Sequence, residues 1–359
     1  MRKKVLIIDD SALMRRILSD IITLDHNFQV YATAANGQEG LEIMEEEADN
    51  IDVVLLDLNM PIMNGIEFLK ELNKKEIDAN VVIVSTAAKS DERETILALE
   101  LGAFDFVTKP ETYSNIKSKE FSKWLLGTVA LATTSKKIPR EKTPVAKIET
   151  QKVVKRKDHG RKVLGGLNKV VAIACSTGGP KALHNILSYL PQNIDAPLLI
   201  VQHMPAGFTK SLAERLDDVS KLYVKEAEHG DILKKGSAYI AKGGCQMRVV
   251  DGEDGQVSLA LTEEPPRNSL RPCADIMYES IMDTQIEKVI CVVLTGMGRD
   301  GTKGISQLSK TKETYVIAQD EKSSIVYGMP RGVMEANLVD QEVDLKDVAN
   351  AIVKHVGVL

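Results

Sequence analysis

Apolar residues arrive in short blocks along this 359-residue chain, and polar, often helical-period stretches separate most of the blocks. VLIID (5–9), QVYATA (29–34), VVLLD (53–57), VVIVS (81–85) and FDFVT (104–108) have the length and β-branched content of strands. Amphipathic stretches between most of them predict a parallel sheet with helices on both faces. The second half repeats the rhythm with VVAIAC (170–175), LLIVQH (198–203), VICVVLT (289–295) and TYVIAQ (314–319). Within it, MRVVD (247–251) and QVSLALT (256–262) flank a turn at Gly252–Gly255 and predict a hairpin. The expected fold is α/β: two doubly wound parallel-sheet domains, the first flavodoxin-like, the second Rossmann-like with a β-hairpin.

Between the halves the pattern lapses. From Thr133 to Val163 there are eleven Lys or Arg against three Asp or Glu, two prolines, and no aromatic residue. This composition predicts a basic flexible linker, assigned to 126–167, which leaves domains at 1–125 and 168–359. A basic arm for nucleic acid is the alternative, but no aromatics interleave to stack bases, so no nucleic-acid partner is expected. The net charge of −5 does not make the whole molecule a polyanion binder. Met1-Arg2-Lys3-Lys4 opens like a signal peptide, yet the apolar run ends at Ile8 before Asp9. No segment has the length to cross a bilayer, so a cytoplasmic protein that is not membrane-inserted is expected. Cys175, Cys245, Cys273 and Cys291 form no C-x-x-C pair and read as reduced thiols rather than a disulfide frame or zinc site.

Candidate chemistry gathers at strand ends. Asp9 and Asp10 close the first strand, Asp57 closes the third, and Thr86 and Lys109 follow the fourth and fifth. Carboxyl ends of parallel strands meet at one edge, so these groups can share a pocket. Three clustered carboxylates call for a cation, and Mg²⁺ with oxygen ligands suits them. An ammonium and a divalent cation around one aspartate would stabilise an acyl phosphate. Reading the acids as mere surface charge would leave five polar residues at four matched strand ends unexplained.

In KVVAIACSTGGP (169–180), Ser176 falls just past a buried strand, followed by a glycine turn and by Pro180 opening a helix. A hydroxyl there can attack a carbonyl, with turn N–H groups ready for the oxyanion, although a plain glycine-rich turn has the same spelling. Such a serine needs a base. Of six histidines, His203 ends a buried strand at the same edge as Ser176, whereas His26, His159, His184, His229 and His355 fall in loops, the linker or helices. Asp300, in VVLTGMGRDG (292–301), is the candidate acid, and the N–H groups around Gly296–Gly298 are candidate oxyanion donors. Asp300 also suits a helix cap, which is compatible with that role. Cys175 is set aside as nucleophile because strand alternation turns it toward the core.

Residues 1–125 resemble a response-regulator receiver domain through I-D-D-S (8–11), L-D-L-N-M-P-I-M-N-G (56–65), S-T-A (85–87) and L-G-A-F-D-F-V-T-K-P (101–110). The resemblance implies that Asp57 is the phosphoacceptor and that Asp10, with the carbonyl of Asn59, binds Mg²⁺, Asp9 helping through water. It makes Thr86 and Phe106 the switch pair and Lys109 the phosphoryl contact, with a cis Lys109–Pro110 bond. Residues 168–359 resemble the catalytic domain of chemotaxis-specific protein-glutamate methylesterases. That likeness rests on A-C-S-T-G-G-P (174–180), Q-H-M-P-A-G-F-T (202–209), G-S-A-Y-I-A (236–241), L-T-G-M-G-R-D-G (294–301), A-Q-D-E (318–321) and G-M-P-R (328–331). It implies Ser176 as nucleophile, His203 as base and Asp300 as orienting acid, with the Met297 N–H and Thr177 at the oxyanion. Cys273, in R-P-C-A-D (271–275), stands where the family leads one to expect serine, a departure read as touching fine substrate positioning.

Together the resemblances imply phosphorylation-activated hydrolysis of glutamate methyl esters on chemoreceptors, with deamidation of receptor glutamines. A chemotaxis histidine kinase would be the phosphodonor, and the esterase reaction would need no cofactor. Two rivals are weaker: a DNA-binding output module finds no basic recognition helix, and a dinucleotide enzyme finds no G-x-G-x-x-G.

Overall fold

Strand blocks that are apolar on both faces end up inside, as a parallel sheet covered by helices requires. The computed structural model describes residues 2–86, 88–110, 118–138, 140, 167–252 and 255–359. The first half runs β1 (Lys3–Ile8), α1 (Ala12–Thr23), β2 (Phe28–Ala34), α2 (Gly37–Glu47), β3 (Val53–Leu56), α3 (Gly65–Lys75), β4 (Val81–Ser85), α4 (Lys89–Glu100), β5 (Asp105–Thr108) and α5 (Lys119–Thr134). Its five strands pair in parallel in the order β2-β1-β3-β4-β5. That order reverses beside β1, so the ends of β1 and β3 border a crevice at the carboxyl edge.

The second half runs β6 (Lys169–Cys175), α6 (Gly179–Tyr189), β7 (Leu198–Gln202), α7 (Phe208–Val219), β8 (Tyr223–Glu226), β9 (Ser237–Ile240), β10 (Gln246–Asp251), β11 (Val257–Thr262) and α8 (Ala274–Ile281). It continues with β12 (Lys288–Val293), α9 (Thr302–Leu308), β13 (Glu313–Gln319), α10 (Met329–Glu335), β14 (Gln341–Val343) and α11 (Val348–Val356). Seven strands form a parallel sheet in the order β14-β13-β12-β6-β7-β9-β8, and β10–β11 is the expected antiparallel hairpin. The switch of direction falls between β6 and β12, whose residues pair from Lys169↔Lys288 to Ala174↔Val293. Among the described residues no helix is long and apolar enough to cross a membrane.

Three strands were not legible in the chain. β8, β9 and β14 are three or four residues long and lie toward the sheet's two edges. At the seam between the halves, residues 126–134, expected in the linker, continue α5. Phe121, Leu125, Val129 and Ala132 recur at helical spacing and are buried in the same apolar cluster as β1 and β3. Beyond it, the buried Arg140 guanidinium donates to the carbonyls of Leu101 (3.0 Å) and Ala79 (3.0 Å). The basic stretch 141–166, the body of the expected linker, lies outside the described residues. The peptide expected to be cis, Lys109–Pro110, is not; the cis bond among the described residues is Arg271–Pro272.

Ending the first half at residue 125 would cut α5 in two and strip Val129, Ala132, Ile138 and Arg140 from its core. Fragment 1–125 is expected to be less stable than fragment 1–140 by several kcal/mol, on the order of 3 or more, from lost apolar burial and uncovered carbonyls. Equal midpoints in parallel urea titrations would contradict this packing.

Candidate active site

Backbone pairing puts the three parts of the second-half site side by side. Ser176 follows β6, and its N–H donates to the Thr295 carbonyl (3.0 Å) after β12. His203 follows β7, and its N–H donates to the Cys175 carbonyl (3.1 Å). Gln202, fully buried at the end of β7, ties these backbones together: its Nε2 donates to the carbonyls of Ser176 (3.0 Å) and His203 (3.2 Å). The glycine turn is sterically required. A Cβ on Gly179 would lie 1.9 Å from Gln202 Oε1, and one on Gly296 would lie 2.7 Å from Ser176 Cβ.

His203 Nε2 is 2.8 Å from Asp300 Oδ2, which leaves Nδ1 as the ring nitrogen available to a nucleophile. Among the described residues Ser176 Oγ makes no hydrogen bond to His203; catalytic contacts of this kind commonly tighten when substrate binds. Asp300 is a helix cap, but of a neighbour rather than of its own helix. It accepts from the Ala274 N–H (2.6 Å) and the Asp275 N–H (3.0 Å) at the start of α8. Asp275 returns the arrangement by accepting from Gly301 (3.0 Å) and Gly304 (2.7 Å) at α9. Burial opposes a charge on Asp300, yet the His203 contact, the Ala274 N–H and Cys273 hold its carboxyl down at about 2.

Cys273 bears on this acid rather than on substrate positioning. Its Sγ donates to Asp300 Oδ1 (3.1 Å), and burial followed by the Asp300 charge pushes the thiol up to about 12. Cys175 is fully buried and its thiol is raised by burial alone, which leaves it inert beside Ser176. The Met297 N–H donates to no backbone carbonyl among the described residues, and the residue is 61% exposed.

At the first-half edge, Asp9, Asp10 and Asp57 bring carboxylate oxygens within 4.8 Å of one another. Lys109 Nζ donates to Asp9 Oδ2 and Asp57 Oδ1, both at 2.8 Å. Burial pushes Asp57 up to about 6; Lys109 opposes the rise and Asp9 adds to it. Three carboxylates against one ammonium form a hard-oxygen donor set with surplus negative charge, which fits Mg²⁺. Thr86 and Asn59 do not face Asp57 through their side chains. Both donate to Asp91 in the first turn of α4, Asn59 Nδ2 at 3.0 Å and the Thr86 hydroxyl more closely. Nothing in the chain's pattern singles out Asp91.

The α4–β5 face of the first half, rather than its acid pocket, packs against the serine edge of the second. Thr177 Oγ1 donates to Asp105 Oδ2 (2.5 Å), and the Phe106 ring lies 4.6 Å from that of Phe208. Helix α4 packs across α6 and α7, the helices that follow Ser176 and His203.

An acid pocket at the carboxyl edge of one doubly wound sheet, and a serine, a histidine and an aspartate at that of a second, are the layout of a receiver domain joined to a hydrolase. Residues 5–119 match the response regulator receiver domain, and residues 171–352 match the CheB methylesterase family. The chain is 38% identical to the protein-glutamate methylesterase/protein-glutamine glutaminase 1 of Syntrophomonas wolfei over 98% of both chains. It is 40% identical to the protein-glutamate methylesterase/protein-glutamine glutaminase of Halalkalibacterium halodurans, again over 98% of each. The Thermotoga maritima CheB methylesterase catalytic domain, 40% identical, superposes with a TM-score of 0.51 on 54% of this chain and 100% of its own. The chain belongs to the CheB methylesterase family.

Gly296→Ala, by driving a methyl into Ser176, is expected to cut hydrolysis of a small ester by at least about tenfold with circular dichroism unchanged; full activity would contradict the close approach. The depressed Asp300 carboxyl adds about 2 kcal/mol that is present above pH 3.8 and lost as pH falls toward 2. Asp300→Asn should therefore show a shallower decline in unfolding free energy over that acid range, and an unchanged decline would count against the network.

Proposed function

We propose that this chain hydrolyses methyl esters of glutamate side chains on chemoreceptors and that phosphorylation of Asp57 switches it on. The observation that carries the chemistry is the His203 Nε2–Asp300 Oδ2 contact at the strand edge that also bears Ser176. Ser176 Oγ attacks the ester carbonyl while its proton passes to His203 Nδ1. Asp300 holds the ring and balances the imidazolium charge. The Met297 N–H, with Thr177 beside it, stabilises the oxyanion. The C–O bond to methanol breaks as His203 returns the proton. Water then attacks the acyl-Ser176 bond by the same route and yields glutamate. A glutamine amide passes through the same tetrahedral geometry with ammonia as the leaving group, which supports a glutaminase activity as well.

Control comes from the first domain, taken here as residues through Arg140. A histidine kinase donates a phosphoryl group to an Asp57 oxygen. Asp9, Asp10, Asp57 and the Asn59 carbonyl would hold Mg²⁺, whose charge offsets that of the phosphoryl oxygens. Lys109 contacts the same oxygens. The new oxygens compete with Asp91 for the Thr86 hydroxyl, loosening the first turn of α4 and the Phe106–Phe208 contact behind it. With the receiver unphosphorylated, α4, Asp105 and Phe106 cover the approach to Ser176. Removing that cover activates the enzyme by a shift of population rather than by building a new site.

Methanol release from methylated receptor membranes, with and without a small phosphodonor and Mg²⁺, tests both halves. Ser176→Ala should abolish release. Asp57→Ala should keep the basal rate and lose the stimulation. Stimulation of Asp57→Ala equal to that of the unaltered protein would remove Asp57 from the switch.

A further inference from the structure

The covered face of the catalytic domain carries side chains beyond those the proposed reaction uses. The receiver places three carboxylates on it. Glu100, at the end of α4, accepts from Arg215 Nε through both oxygens (3.0 Å each) and from Arg215 Nη2 (3.0 Å). His184 Nδ1 lies 3.1 Å from Glu100 Oε1, near enough for attraction though not aligned as a hydrogen bond. Glu92, one face of α4 further up, accepts from Ser211 Oγ (3.3 Å). Asp105 accepts from Thr177, the residue next to Ser176. Along the helix that Phe208 opens and beside it, the catalytic domain offers a guanidinium, an imidazole and two hydroxyls that face carboxylates, while at the exposed rim the sign reverses and Glu214 accepts from the receiver's Arg93 Nη2 (2.9 Å).

The bidentate Arg215–Glu100 pair is specific in geometry, and Glu100 is only 8% exposed. The seam is also not filled: a cleft of 380 Å³ lined by Arg93, Ser211, Glu214, Arg215 and Asp218 opens beside it. The group Asp105 presents next to the nucleophile is a carboxylate, the same group that ester hydrolysis produces.

We infer that the receiver covers this face as a substrate mimic, and that the acidic segment bearing the target glutamate docks on Arg215, His184, Ser211 and Phe208 once the receiver leaves. A neighbouring carboxylate of the substrate takes the place of Glu100 on Arg215, and the esterified side chain takes the place of Asp105 near Thr177 and Ser176. One face then serves two partners in turn, and charge complementarity selects protein segments rich in acidic side chains. The inference rests on the methylesterase reading above.

Initial rates of methanol release against the concentration of methylated receptor membranes, with donor and Mg²⁺ present, test it. Arg215→Ala is expected to raise KM about tenfold with kcat within about twofold, the loss of one charge-assisted contact. Arg215→Lys should recover part of that rise. Hydrolysis of 4-nitrophenyl acetate by the same samples reports the active centre without the docking face. Should Arg215→Ala lose that small-ester activity too, His184→Gln, with the same expected direction in KM, decides. Unchanged receptor KM in these variants, with only the donor-free rate raised, would show that the face serves the receiver alone and would overturn the inference. No methanol release by the unaltered protein, with small-ester hydrolysis intact, would instead overturn the methylesterase reading and the docking claim with it.

Discussion

Parallel strand pairing is the constraint on which the site depends. Side chains that leave β6, β7 and β12 at their carboxyl ends can meet only because those strands pair directly or through one neighbour in one register. Two backbone hydrogen bonds, Ser176 to Thr295 and His203 to Cys175, extend that register past the strands into the loops that carry the chemistry. Gln202 then locks the backbones of Ser176 and His203 to one another. The glycines are consequences of this closeness: Gly179 and Gly296 sit where any side chain would strike Gln202 or Ser176.

Asp300 is fixed by a different device. Asp300 and Asp275 each cap the helix that begins beside the other, so two helix N-termini and two carboxylates form one buried knot. Helix N-termini favour negative charge, which offsets part of the cost of burial; at Asp300 the partners win, whereas at Asp275 burial still raises the carboxyl. Cys273 donates into the same knot as a weak partner. Asp300 can therefore stay charged beside His203 while nearly buried, which is what the proposed serine–histidine mechanism needs. In the receiver the balance falls the other way: Lys109 offsets only part of the cost of burying Asp57, whose carboxyl rises to about 6.

Much of this was legible in the chain. Nine apolar blocks became parallel strands, because a strand covered on both faces must be apolar throughout and announces itself. Ser176, His203, Asp57 and Lys109 stood out as polar residues ending such blocks. The short strands β8, β9 and β14 did not, since three or four residues carry too little pattern to tell from loop. The continuation of α5 past residue 125 was masked by the basic residues that follow it. Asp91, Asp105, Glu92 and Glu100 escaped notice for a different reason: each is an ordinary acid on a helix or strand, and only tertiary packing gives it a partner, Asp91 within the first half and the other three across the seam. Gln202 could have been suspected as an amide ending an apolar run.

What remains central is whether the receiver governs access to Ser176. The most direct measurement is the rate at which a fluorophosphonate labels Ser176 in the full chain, before and after addition of a small phosphodonor and Mg²⁺. Labelling that accelerates with the donor, toward the rate of the catalytic domain without its receiver, is the result this account predicts. Labelling that is already fast and indifferent to the donor would contradict it.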